Sequence, residues 1–146
     1  MMTQLIDDTL QLLKNACAPE AMIVPDPNLS ILAEAAAMLE QNEVSYSRSV
    51  KLLTLFTLLD LARKRHDGVR YSDPDLTRRI LDGDYFQSLY IQLAIEFGEM
   101  DLVRYLAPEL KTWYIRRALG RPVHEPLVSI FEAYLHHESA AQHRAI

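Results

Sequence analysis

Leu81-Asp82-Gly83-Asp84-Tyr85-Phe86-Gln87-Ser88-Leu89-Tyr90 is the stretch on which the fold turns. It lies inside 74–97, where Leu76, Ile80, Gly83, Phe86, Tyr90, Leu93 and Phe97 recur at the spacing of one helical face. Leu81, Tyr85 and Leu89 form a second stripe well away from the first. A helix that is apolar on two sides is buried on both or meets another chain. Glycine inside a helix costs about 0.8–1.0 kcal/mol relative to alanine. Gly83 between two aspartates therefore predicts a close approach to the backbone there, or a neighbour that uses the carboxylates. Residues two apart on a helix point about 200° from each other, so Asp82 and Asp84 cannot grip one ion from an intact helix.

Outward from this helix the same periodicity predicts five more. They cover about Thr3 to Cys17, Asn28 to Gln41, Ser47 to Arg65, Met100 to Leu119 and Glu125 to His137. Pro19, Pro25 and Pro27 break the chain after the first helix, and Gly68 stops the third. Asp73-Pro74 reads as N-cap and first residue of the fourth. Gly98 ends it, Pro108 marks a break or new start in the fifth, and Gly120 and Pro122 punctuate before the last. Residues 138–146 are expected to fray. With only four glycines and little β-branched alternation, the fold class is all-α, a single-domain antiparallel bundle of about six helices over 1–146.

Composition narrows function. Hydrophobic residues make up 49% of the 146, enough for one globular core. A net charge of −5 argues against nucleic acid as the main partner. The lone Cys17 allows no internal disulfide and fits a reducing compartment. No basic and apolar leader opens the sequence, and no apolar run approaches the ~20 residues of a membrane span. The expectation is a soluble, cytoplasmic protein.

Few side chains form a complete chemical motif. His66-Asp67 offers a base beside a carboxylate, but adjacent helical residues do not face each other. His136, His137 and His143 lack a zinc spacing with cysteine or carboxylate partners. Arg63-Lys64-Arg65, Arg78-Arg79 and Arg116-Arg117 carry no glycine-rich phosphate loop beside them. The residues alone describe a helical domain without a complete active site.

Two strings, taken in order, resemble the all-trans polyprenyl diphosphate synthases. Arg65-His66-Asp67-Gly68-Val69-Arg70-Tyr71 stands where that family carries an aspartate-rich motif at a helix end. Leu81-Asp82-Gly83-Asp84 resembles the Leu-x-Gly-Asp string of its next long helix. The likeness is sharpest over 83–90, looser through 99–107, and closest to the small subunit, or component I, of two-component hexaprenyl and heptaprenyl diphosphate synthases. It implies a truncated synthase fold. In the catalytic family the first motif binds Mg²⁺ that clamps an allylic diphosphate. Here Asp67 remains, but Gly68 and Tyr71 occupy the next two aspartate positions. The sequence stops before the family's second aspartate-rich motif, and Asn28 to Leu39 holds none of the basic residues that grip isopentenyl diphosphate.

The resemblance therefore implies a regulatory subunit with no catalytic residue and no metal of its own, His66, Asp67, Gly68 and Tyr71 being a diverged motif. Mg²⁺ and the chemistry belong to a large catalytic partner, whose product length the small subunit helps to set. The partner interface is expected at Leu81, Gly83, Asp84, Tyr85, Phe86, Leu89 and Tyr90; the alternative is that these side chains fill the chain's own core. An isolated chain is expected to be able to pair with itself through the vacant surface. A generic helical adaptor and a small-molecule binder using His66, Asp67 and Asp84 are the competing readings.

Overall fold

The computed structural model describes residues 2–121 and 125–144. Among the described residues six α-helices carry the fold: α1 (Met2–Ala16), α2 (Leu29–Gln41), α3 (Tyr46–His66), α4 (Leu76–Phe97), α5 (Met100–Ala118) and α6 (Leu127–Arg144). A single 3-10 turn, Pro19–Ala21, interrupts the link between α1 and α2. No strand occurs among the described residues, so the all-helical bundle expected from the periodicity is what forms. None of these helices is long and apolar enough to cross a membrane.

The bundle is built around α3. Every residue from Leu52 to Ala62 is buried, which a run holding only Thr54, Thr57 and Asp60 as polar residues permits. The two threonines return their hydroxyls to the carbonyls four residues back, Thr54 to Val50 at 2.8 Å and Thr57 to Leu53 at 2.7 Å, so neither is left unsatisfied in the core. Asp60 pairs with Lys64 at 2.9 Å. Around this axis α4 packs most extensively, α1 and α2 lie on other sides, and α6 closes the core against α2 and α5. Phe56 of α3 meets Phe131 of α6 with ring centroids 5.1 Å apart.

Helix ends follow local chemistry. The Asn28 side chain accepts from the backbone N–H of Ser30 and Ile31, and Ser45 caps α3 through the N–H of Arg48. Gly98 takes the left-handed conformation, φ 71°, that lets α4 stop and α5 begin two residues later. Three expectations at helix ends are corrected. α4 starts at Leu76 rather than Pro74, because Asp73 forms a turn of its own by accepting from the Asp75 N–H at 2.8 Å. Pro108 neither breaks nor starts α5: the helix runs through it, with the proline ring on an exposed face. The tail expected to fray is helical through Arg144, with Glu138 held by Arg48. Pro122, Ala145 and Ile146 lie outside the described residues.

Candidate functional site

The 200° between Asp82 and Asp84 gives the two carboxylates different neighbours. Asp82 is buried, and its Oδ1 accepts from Arg78 Nε at 2.8 Å while Arg65 stands 3.8 Å from Oδ2. These guanidinia reach onward to the segment between α1 and α2. Arg78 donates to the carbonyls of Ala21 and Met22, at 3.0 and 2.8 Å. Arg65 donates to Asp26 at 2.9 Å. One turn further along α4, the Tyr85 hydroxyl accepts from the Ala18 N–H at 2.9 Å. Residues 17–28 thus form a strap bound to α3 and α4 by side chains around Asp82.

Asp84 faces the other way. His66, the last residue of α3, places Nε2 at 2.9 Å from Asp84 Oδ1 and Nδ1 at 2.7 Å from the Tyr114 hydroxyl of α5. Tyr114 is in turn 3.5 Å from Gln87. Gly83 is what admits the imidazole: a Cβ there would overlap Nε2, Cδ2 and Cε1 of His66. This is the close approach that the glycine between two aspartates predicted. An ionised Asp84 only accepts, so Nε2 carries a proton and a neutral ring takes the Tyr114 proton at Nδ1. Burial, the largest influence on Tyr114, raises its pKa and keeps the phenol protonated at neutral pH. The chemistry available is proton holding and hydrogen bonding beside an open groove of about 540 Å³ that Ile80, Gln87 and Arg117 also line.

The diverged motif does not converge. Only His66 enters this site. The Asp67 carboxylate turns to the Arg117 guanidinium of α5, and its carbonyl accepts from Arg79 at 2.8 Å. Gly68 supplies a left-handed turn at φ 66°, and Tyr71 stands fully in solvent. Among the described residues no group of three or more His, Cys, Asp and Glu is placed to hold a metal ion. The donor set does not fit the Mg²⁺ cluster of the synthases: Asp67 and Asp84 each lie against a partner of this chain.

The expected interface also separates. Gly83, Phe86, Leu89 and Tyr90 are buried in the chain's own core and are not available to a partner, which corrects the interface reading at those four positions. Leu81 and Asp84 are exposed, and Tyr85 is half-buried under the strap. The cause is the length of α3. It ends at His66 opposite Gly83, so the face of α4 turned to α3 is buried from Asp82 onward, and no residue from Leu76 to Leu81 is buried. Tyr114, Gln87 and Arg117 were missed as site residues. Tyr114 and Arg117 arrive from α5, and no spacing in the sequence links them to His66.

Gly83→Ala is expected to drive the His66 ring from between Asp84 and Tyr114 while changing overall stability little. The lost contacts oppose a helix-propensity gain of about 0.8–1.0 kcal/mol. The measurement is the set of nuclear Overhauser contacts between the His66 ring protons and Tyr114, beside the melting temperature. Wild-type His66–Tyr114 contacts in the variant would mean that the glycine is not the seat of the ring. Comparison of the chain with protein-family models, with curated proteins and with solved structures gives no match.

Proposed function

We propose that this chain is the non-catalytic small subunit of a heteromeric all-trans polyprenyl diphosphate synthase, working in the cytoplasm to support a catalytic large subunit and help set the length of its product, a quinone side chain. The reading starts from the two strings that resemble component I of the hexaprenyl and heptaprenyl enzymes. The observation that carries it is the use of every carboxylate in those strings for internal contacts: Asp67 with Arg117, Asp82 with Arg65 and Arg78, Asp84 with His66. A diphosphate–metal clamp needs carboxylates free to converge on Mg²⁺. Side chains tied to their own chain serve shape instead. A growing prenyl product needs a dry apolar tunnel, each added unit burying hydrocarbon at about 25 cal/mol per Å². A neighbour that borders the tunnel's wall sets where elongation stops.

Co-expression with the large subunit of a synthase from the same source tests this. The expected result is co-purification, Mg²⁺-dependent prenyl transfer by the complex, little or none by this chain alone, and a product length that changes when the chain is left out. Appreciable prenyl transfer by the isolated chain would defeat the assignment. A chain that co-purifies with other proteins but ignores the synthase would be the generic adaptor.

A further inference from the structure

Arg63, in the last turn of α3, differs from the other half-buried arginines of this chain. Among the described residues five arginines are half-buried. Four of them face a carboxylate: Arg48 with Glu99, Arg65 with Asp26, Arg79 with Asp73 and Arg117 with Asp67. Arg63 forms no ion pair among the described residues. Its guanidinium lies over the Trp113 ring, 4.7 Å from the centroid, and meets the Glu125 carbonyl only at 3.5 Å. A guanidinium carries five N–H donors, so most of those on Arg63 have no partner in this chain. Burial is the largest influence on Arg63 and pulls its pKa below the ordinary arginine value, against the attraction of Asp60 and Glu125. A partly desolvated cation with no counter-charge in contact is destabilising until an anion meets it.

Beside the guanidinium a cleft of about 310 Å³ opens between α2, α3, α5 and the start of α6, a volume in the range of small-molecule sites. Its apolar lining is Ile31, Trp113, Pro126, Leu127 and Val128. Its other charges are largely matched within the chain. Asp60 holds Lys64 at 2.9 Å and Asp67 holds Arg117, while Glu34 and Glu125 are exposed to solvent. The unmatched cation calls for an anion. The carboxylates of Glu34, Asp60, Asp67 and Glu125 limit that anion to one charge, because each further negative charge would face groups of its own sign. The apolar lining favours a hydrocarbon body, which gains free energy in proportion to the area it buries.

We infer that Arg63 anchors a monoanionic amphiphile, a carboxylate with an aliphatic tail. The guanidinium takes the head through two parallel N–H donors, and the tail lies along Ile31, Leu127 and Val128. Such a site needs this chain alone and does not depend on a synthase partner.

Trp113 is the only tryptophan of the sequence and lines the cleft, so its fluorescence reports occupancy. Octanoate titrated into the full chain is expected to change this signal saturably and to raise the melting temperature with concentration. Octanol, which has the tail without the charge, and pyrophosphate, which has charge without a tail, are expected to bind about tenfold more weakly or less. Arg63→Met keeps the aliphatic stem and removes the cation. With no ion pair to lose, the variant is expected to melt close to the wild-type temperature. Its affinity for octanoate, read by calorimetry because the substitution alters the surroundings of the tryptophan, is expected to fall about tenfold or more, the scale of a hydrogen bond to a charged group. Ile31→Trp, a change at a half-buried position of α2 that narrows the cleft while leaving Arg63 in place, is expected to weaken octanoate comparably in the same calorimetric assay. The site is overturned by no saturable response of the wild type to octanoate, by wild-type affinity in either variant, or by octanol or pyrophosphate binding as tightly as octanoate.

Discussion

Leu89→Asp is expected to unfold the chain. The spacing 81, 85, 89 offers Leu89 as a surface residue whose replacement would weaken association alone; in the fold it is 6% exposed, packed in the core with Phe86 and Leu93. Truncating a buried leucine costs about 2–5 kcal/mol, and a carboxylate left there without a partner adds several more. Small domains hold only about 5–15 kcal/mol in total. The variant is expected to lose its cooperative thermal transition and most of its helical circular dichroism. Leu89→Ala is expected to keep a two-state melt at a lower temperature. A stable, fully helical Leu89→Asp chain would show that α4 turns this side to solvent.

Arg48→Met is expected to lower stability by about 3 kcal/mol, and the melting temperature by roughly 10 °C. Arg48 opens α3 and grips two carboxylates with both edges of its guanidinium. Nε and one terminal nitrogen donate to Glu99 at 2.7 and 3.0 Å, and the other terminal nitrogen reaches Glu138 at 2.6 Å. Tyr134 adds a donor to Glu138 at 3.0 Å. Glu99 is 7% exposed, so removing Arg48 leaves a desolvated carboxylate unpaired at the α4–α5 junction. The same loss frees the end of α6. Arg48→Lys is expected to recover only part of the stability, since an ammonium cannot serve two carboxylates bidentately. Melting curves of the three proteins decide this; a melting temperature unchanged in Arg48→Met would reduce the network to a surface contact.

The network also sets a dependence on acid. The Arg48 hydrogen bond holds the Glu138 carboxyl below the usual glutamate range. A folded pKa below the unfolded one gives stability that is complete above the unfolded value and is lost as pH falls through the folded one. Wild type is therefore expected to lose this contribution in acid, below the normal glutamate range. The gap in melting temperature between wild type and Arg48→Met should narrow there.

Helix count, helix class and most helix limits were legible because apolar periodicity and end-capping residues are local properties. Gly83 was legible for the same reason: the penalty for glycine in a helix is local, and it announced either a close approach or a neighbour using the carboxylates, without naming the group; His66 proves to be both. Periodicity gave α3 as a helix, and the fold buries that helix on every side between Leu52 and Ala62. The period says how residues are arranged around an axis, and neighbours decide how much of that circumference is covered. Leu81 and Leu89 show the limit best. They share one stripe of α4, yet one is in water and the other in the core. Arg48, Glu99 and Glu138 gave no sign of acting together, because ion pairs across 51 and 90 residues have no signature in spacing.

By itself the sequence determined an all-helical chain, the opposition of Asp82 and Asp84, the crowding at Gly83 and the absence of a complete aspartate-rich motif. Each follows from the geometry of one helix or the chemistry of one short string. Only the tertiary structure decided that His66 is the group against Gly83, that Asp67 belongs to Arg117, and that four of the supposed contact residues are core. Those outcomes depend on where α3 ends relative to α4 and on what α5 and the strap bring alongside, and distances between separate elements are set by packing of the whole chain.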